Sequence, residues 1–342
     1  MNLSFGMSKV DIKSIAKALN LSKSTVSRAF QEKSDINPNT RNRILAYANE
    51  LNYRPNHYAS NLREQKSKTI AVVVPELENN YFTQIIKGAE EVAKEAGYHT
   101  LVYATDDDVY KEREFVTSIS NGKVDGVLMS VVGEGHDHSY LFNIDLIKMP
   151  IVFFDRLYDD VAIPGITTDD YQSSFEATEH LIQEGCKSIA FLVIDKEHSI
   201  GKERCLGYTD ALKKHQLPVR EELILNCSNS YDENFVTIKN LLTKDKPDAV
   251  FASVERLAFS TYYVCNHLGM SIPDQLKVVA FSSLQIAELL SPPLSTIVQP
   301  AEQIGREAAR LLLKNLKNQI STPSTDQIVL KSELKIRKSS QG

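Results

Sequence analysis

The chain has 342 residues, of which 42% are apolar, with four cysteines, no tryptophan and a formal net charge of −5. One core rarely serves more than roughly 250–300 residues, so two or three domains are expected, and the composition fits neither a disordered nor a disulfide-stapled protein. No apolar run approaches the roughly 20 residues that span a bilayer and the first residues lack a signal-peptide core, so a cytoplasmic protein without a membrane partner is expected.

Cys186, Cys205, Cys227 and Cys265 are widely spaced without a CxxC pair. That pattern suits reduced thiols rather than a metal site or a disulfide frame. The net charge conceals an asymmetry. Residues 1–68 hold 12 Lys and Arg against 5 Asp and Glu, a net of +7, while the remainder holds 27 against 39, a net of −12. A basic head on an acidic body implies that the head is the part that meets a polyanion.

In chain order, Ile12, Ile15, Ala16 and Leu19 recur at helical spacing and form one apolar stripe. Asn20 stands where a tight turn needs a residue tolerant of the left-handed region. Ser22 is placed to cap a second helix whose inward side is Val26, Ala29 and Phe30. Asn37-Pro38 opens a third, with Ile44, Ala48 and Leu51 facing inward. Helix, turn, helix, loop, helix is the plan of a helix-turn-helix DNA-binding unit. On the second helix Lys23, Ser24 and Arg28 point away from the stripe. Arg28 suits a bidentate contact to guanine, Lys23 and Ser24 reach neighbouring bases, and Ser22, Thr25 and Ser27 suit phosphate. A small helical bundle with a solvated basic face is the plainer reading of the same residues.

The ordered run from Val10 to Arg28, with Thr40-Arg41 and the Leu51-Asn52-Tyr53-Arg54-Pro55-Asn56 segment, resembles the N-terminus of the lactose/galactose repressor family. The resemblance implies that Lys23 and Ser24 form the main specificity pair and that Arg28 is a shared base contact. Gln31 stands where the family has an Asn contact, and Asn20 where it has Gly. Residues 1–54 are therefore expected to be the DNA-binding domain and 55–68 a hinge. An isolated helix of two turns is marginal in water, and in the family this stretch becomes helical on DNA. Asn56 is its expected cap, Ala59 its helix–helix contact, and Leu62 its minor-groove wedge. A plain polar linker is the alternative.

From Thr69 onward apolar runs alternate with amphipathic helices. The strand runs are Ile70–Val74, Thr100–Tyr103, Gly126–Met129, Ile151–Phe154, Ile189–Val193, Ala249–Phe251 and Val278–Phe281, with a helix near Tyr81–Ala96 after the first. Continuous apolar strands between helices indicate an α/β body with parallel sheets covered on both faces. Ligands of such folds sit beyond the carboxyl ends of the strands. No phosphate-binding glycine loop follows any strand and no HExxH or GxSxG motif is present, so neither a nucleotide cofactor nor an enzyme is expected.

Chemistry-bearing residues do gather at strand ends: Tyr81-Phe82, Asp155-Arg156, Arg204, Glu255-Arg256 and Ser282-Ser283. Aromatic faces with carboxylates and Arg suit a polyhydroxylated ligand. The plainer readings are core aromatics for Tyr81 and Phe82, a surface ion pair for Asp155 and Arg156, and a helix cap for Ser282-Ser283.

These segments also resemble the family's effector body, which is similar to periplasmic sugar-binding proteins. The family's effector contacts map onto Tyr81, Phe82, Asp155, Arg204 and Gln299. Val254-Glu255 stands where the family often has Asn-Asp, and Ser282 where it often has Asp, which suits a ligand with its own negative charge or an unusual sugar. Three crossings are expected near Ile166-Thr167, Leu294-Ser295 and Asp326-Ile328. They divide 69–342 into a first subdomain of 69–166 plus 295–326 and a second of 167–294 plus 327–342. The final strand is expected over Ile328–Ile336, and a helix over Gln303–Leu316 in the first subdomain.

The expectation is a dimeric transcription regulator, most simply a repressor, with a small-molecule effector controlling its affinity for palindromic operator DNA. A regulator gated by a partner protein and a solute-binding module without operator binding are the alternatives.

Overall fold

The computed structural model of the protein describes residues 11–30, 36–53, 66–119, 122–133, 138–142, 149–158, 161–196, 198–318 and 327–342. The chain divides into two compact units, Met1–Lys66 and Ser67–Gly342.

In the first unit, local capping sets each helix. The Asp11 carboxylate accepts the Ser14 N–H at 2.8 Å and the Ser14 hydroxyl accepts the Asp11 N–H at 3.1 Å, a reciprocal cap that starts α1 (Ile12–Leu19). Asn20 closes that helix at φ 54°, a conformation Asn tolerates at small cost. Ser22 Oγ accepts the Thr25 N–H at 3.0 Å and starts α2 (Lys23–Ala29). Asn37 caps α3 (Pro38–Glu50) with Pro at its first position. Ile15, Ala16, Val26, Ala29, Ile44 and Ala48 form the buried core. Arg43 donates to the Leu19 carbonyl at 2.7 Å and Arg41 to the Ala29 carbonyl at 3.0 Å, so α3 satisfies the ends of the other two helices. Leu51, expected inward, is 37% exposed, because the helix ends before it. Tyr53 packs on this core instead, with its ring 5.7 Å from that of Phe30.

The second unit holds two sheets. Strands β1 (Thr69–Val74), β2 (His99–Ala104), β3 (Gly126–Met129), β4 (Ile151–Phe154), β5 (Gly165–Thr168) and β11 (Gln327–Leu330) form the first, in the order β11-β5-β4-β3-β1-β2 and parallel throughout. Strands β6 (Ile189–Val193), β7 (Ile224–Asn226), β8 (Ala249–Ala252), β9 (Lys277–Phe281), β10 (Ser295–Val298) and β12 (Glu333–Lys335) form the second, in the order β12-β10-β9-β8-β6-β7, with β12 antiparallel.

Helices α4 (Asn80–Glu95), α5 (Val109–Ile119) and α10 (Ala301–Asn318) belong to the first sheet's subdomain. Helices α6 (Asp170–Gln183), α7 (Ser199–Lys214), α8 (Tyr231–Lys244) and α9 (Glu255–Leu268) belong to the second. Each sheet has buried apolar clusters assigned to its two faces, which is why its central strands read as unbroken apolar runs. The chain winds outward in both directions from β1 in one sheet and from β6 in the other, so the carboxyl ends of β1, β3, β6 and β8 mark two switch points.

The three crossings differ from the expected ones. β5 lies wholly in the first sheet, so the first crossing falls at 168–170 rather than after Ile166. β10 pairs with β9 in the second sheet, so residues 295–298 do not belong to the first subdomain, and the second crossing follows at 299–300. The expected strand Ile328–Ile336 is two strands in different sheets, separated at Lys331-Ser332. The chain crosses after the ends of β5, β10 and β11, whereas the expected positions fall within or just before those strands.

Hydrogen bonds join the crossings. Asp169 N–H donates to the Leu330 carbonyl, Ser332 N–H donates to Asp169 Oδ1 at 2.8 Å, and Gln299 Nε2 donates to Thr168 Oγ1 at 2.9 Å.

Candidate functional site

On the first unit, the structure places Ser22, Lys23, Ser24 and Arg28 at the exposed surface of α2, with Thr25 and Ser27 half-buried beside the core residues Val26 and Ala29. The Ser22 oxygen is occupied by the cap and lies 2.7 Å from Thr25 Oγ1 and 2.8 Å from Ser24 Oγ. These three hydroxyls therefore form one local cluster at the helix start, where partial positive charge favours an anion. Gln31, Asn56, Ala59 and Leu62 lie outside the described residues.

On the second unit, a cleft of about 300 Å³ opens at the two switch points and is lined from both subdomains. It gathers every expected effector residue: Tyr81, Phe82, Asp155, Arg204, Glu255, Ser282 and Gln299. Asn79 caps α4 through the Tyr81 N–H at 3.0 Å, which aims the first turn of that helix at the cleft. Tyr81 and Phe82 stack edge to face with centroids 5.3 Å apart, and both also belong to the first subdomain's core. The plain core reading of these two aromatics therefore holds, and they line the cleft as well.

Asp155 follows β4 at φ 64° and is 4% exposed. It is not a surface ion pair with its neighbour. Asp155 Oδ1 accepts the Tyr81 hydroxyl at 2.9 Å and Oδ2 the Ser130 hydroxyl at 3.4 Å, whereas Arg156 pairs with Asp107 at 2.5 Å. Burial pushes the Asp155 carboxyl above its ordinary range, opposed by the Arg156 and Arg204 charges. Burial, with the negative charge of Asp155 next, raises the Tyr81 phenol well above its usual value, so it stays a donor.

Opposite, Arg204 on α7 is held three ways. It pairs with Asp170 at 2.6 Å, donates to the Ser253 carbonyl, and lies 3.7 Å over the Phe281 ring. Asp170 in turn accepts the Thr168 hydroxyl at 2.9 Å, and Thr168 accepts from Gln299. The cleft wall and the crossings are therefore one polar network. A planar guanidinium fixed on an aromatic face presents its remaining N–H edge to a ligand.

The Asp missing at Ser282 is replaced in space. The Ser282 hydroxyl donates to Glu255 Oε2 at 2.8 Å, and Glu255 opens α9 from the neighbouring strand end, so a carboxylate occupies this part of the cleft after all. The expected shortage of acidic acceptors is corrected by this pairing. Ser282 Oγ also accepts the Leu284 N–H at 3.2 Å, a local turn bond; the short 3-10 helix that follows, Gln285–Leu289, starts after Leu284 with no side-chain cap, so Ser282 is not its cap. Burial pushes Glu255 above the ordinary carboxylate range, partly offset by the Ser282 hydroxyl.

The sequence reading missed Asp170, Thr168, Asp107 and Glu76. Glu76 reaches across the cleft to Arg256 at 2.7 Å, and Gln84 donates to the Ser283 carbonyl at 3.2 Å, so both subdomains are bridged. The available signal was position: Thr168 and Asp170 flank the end of β5, a strand the sequence reading took for a crossing. The cysteines form no part of the cleft. Cys186, Cys227 and Cys265 are buried, which raises the first two to about 12 and the third to about 11, values at which a thiol is inert.

Residues 11–56 match the model for bacterial regulatory proteins of the lacI family, and residues 67–337 match periplasmic binding proteins and the sugar binding domain of the LacI family. The chain belongs to the LacI family. It is a DNA-binding transcriptional regulator with a sugar-binding-type body, and the regulators it resembles are not enzymes.

The HTH-type transcriptional regulator DegA of Bacillus subtilis is 30% identical over 97% of this chain and 98% of its own length. Catabolite control protein A of Staphylococcus xylosus is 29% identical over 91% of this chain and 93% of its own. The lac repressor dimer bound to operator and the anti-inducer ONPF shares the LacI fold at a TM-score of 0.85, with 21% identity, 98% of this chain covered and 100% of that one. Among the described residues no helix is long and apolar enough to cross a membrane.

Proposed function

We propose that this regulator binds operator DNA through α2 and that a sugar-like small molecule in the cleft sets its operator affinity. The observation that carries the second half is the continuity of the polar network. Tyr81, Asp155, Arg204 and Gln299 line the cleft, and Gln299 and Asp170 join it to the crossings through Thr168. A ligand that prefers one relation of the two subdomains shifts that equilibrium by its differential affinity. In this reading Lys23, Ser24 and Arg28 contact bases and Ser22, Thr25 and Ser27 contact phosphate, with Gln31 and the hinge residues Asn56, Ala59 and Leu62 completing the DNA surface.

The regulator acts as a homodimer, so that operator symmetry mirrors its own. Exposed apolar side chains on the second unit support a second copy as partner: Leu101 and Val102 on β2, Tyr263 on α9, and Ile286 and Leu289 after β9.

The test is selection of bound fragments from genomic DNA of the source organism, followed by titration. The full chain is expected to bind the selected fragment with steep salt dependence, and residues 67–342 alone to leave it free. Equal binding by both, or no selected fragment, contradicts the reading.

A further inference from the structure

The charge inside the cleft is unevenly committed. Arg156 is paired with Asp107, Arg204 with Asp170 and the Ser253 carbonyl, and Arg256 with Glu76 at 2.7 Å and Asn229 at 2.6 Å. Among the described residues no lysine lines the cleft, and the lining His198 stands 3.4 Å from Asp195. Each arginine thus has its own carboxylate, and among the described residues the side-chain donors to Asp155 and Glu255 are hydroxyls. Asp155 has two of them, and stands close enough to Arg156 and Arg204 to feel their charge. Among the described residues Glu255 has one donor, the Ser282 hydroxyl at 2.8 Å, and it feels both the like charge of Glu76 and the opposite charge of Arg256.

A half-buried carboxylate whose one described donor is a hydroxyl has acceptor capacity left for a ligand, since its two oxygens offer about four acceptor sites. Three ligand chemistries can be weighed against it. A phosphate or carboxylate would meet Glu255 and Asp155 with each lining arginine already paired to a carboxylate, and like charges repel. A neutral hydroxyl adds one donor and no charge. An ammonium adds three donors and the opposite charge, and charge-assisted hydrogen bonds are roughly twice as strong as neutral ones. The aromatic walls, Tyr81, Phe82, Phe259 and Phe281, suit the apolar face of a ring. Glu78 at the same cleft adds further negative potential that steers a cation inward.

We propose that Glu255 is the specificity-determining residue of the cleft and that the effector is an amine-bearing sugar or polyol whose ammonium group donates to Glu255. This rests on the reading of the cleft as the effector site. Arg156 Nε, which is buried without a hydrogen-bond partner, then serves a ring or hydroxyl oxygen of the same ligand, a role that needs no anion.

The test uses the full chain and matched sets in the gluco, galacto and manno series: hexose, 2-amino-2-deoxyhexose, hexose 6-phosphate and hexuronate, each titrated calorimetrically. In at least one series the amino sugar is expected to bind roughly tenfold or more tightly than its neutral parent, about 1.4 kcal/mol, with the anionic members weakest. Glu255→Gln, nearly the same size, is expected to bring the amino sugar down to its parent's affinity, and Glu255→Asp to keep part of the preference. A neutral or anionic member binding as tightly as the amine, a preference that survives Glu255→Gln, or silence across all three series overturns the proposal. The same preparation is titrated with its selected operator fragment. DNA binding without an amine preference defeats this proposal alone, whereas no DNA binding defeats the reading on which it rests.

Discussion

Arg204 and Asp170 are 3% and 5% exposed as side chains and pair with each other at 2.6 Å. Removing one partner of such a pair leaves the other buried and uncompensated, at a cost of about 3–5 kcal/mol. Arg204→Ala is therefore expected to lower the urea unfolding free energy of the second unit by that amount, and a loss below about 1 kcal/mol would show the pair to be dispensable. Glu255 makes a pH prediction. Its folded pKa is raised above the ordinary 4.5, so the stability it lends is fully present below about 4.5 and is lost as pH rises through the folded value. Glu255→Gln lacks that loss, so its melting temperature relative to the parent should climb as pH rises from 4.5 toward neutrality. A constant difference across that range contradicts the assignment. On the first unit, Arg28→Ala is expected to cost about 1–3 kcal/mol of operator binding, read by fluorescence anisotropy; unchanged affinity would remove Arg28 from the reading surface.

Between elements, α4 and α10 approach closely enough to bring their backbones together at two glycines. A Cβ at Gly88 would lie 2.0 Å from the Glu302 carbonyl oxygen, and one at Gly305 would lie 2.0 Å from that of Ile85. Both neighbours are backbone atoms that yield only if the helices part. Gly305→Ala is therefore expected to destabilise the second unit by about 1–3 kcal/mol or more, measured as a shift of the urea midpoint at constant m-value; a neutral Gly305→Ala would mean that these helices are not in backbone contact.

Element by element, what the sequence made legible follows burial. The runs Ile70–Val74, Ile189–Val193 and Val278–Phe281 are covered on both faces and so are apolar at every position. β5, β7 and β10 carry Thr, Asn and Ser and escaped the pattern. In β10 the reason is specific: Ser295 is buried because its hydroxyl meets the Arg337 carbonyl and Ser340 and its N–H meets Ser339, all on a segment over forty residues away. The same holds in the cleft. Tyr81, Asp155 and Arg204 are legible as chemistry-bearing residues at strand ends and Gln299 by resemblance, whereas the Glu255–Ser282 exchange and the Asp170 partner exist only once distant strand ends meet.

For the whole molecule, the division of charge and the division of chain coincide. The basic segment 1–68 and the acidic remainder meet close to the boundary between the two units, Met1–Lys66 and Ser67–Gly342. The two tasks, holding a polyanion and holding a small polar ligand, therefore place opposite demands on composition in separate parts of one chain. Their coupling is the central claim, and one measurement addresses it most directly: the full chain's affinity for its selected operator fragment, determined by anisotropy with and without a saturating sugar already shown by calorimetry to bind. Coupling through the crossings predicts a change in operator affinity of about 5- to 150-fold, or 1–3 kcal/mol. An operator affinity that is the same with the cleft empty and with it filled would contradict the account.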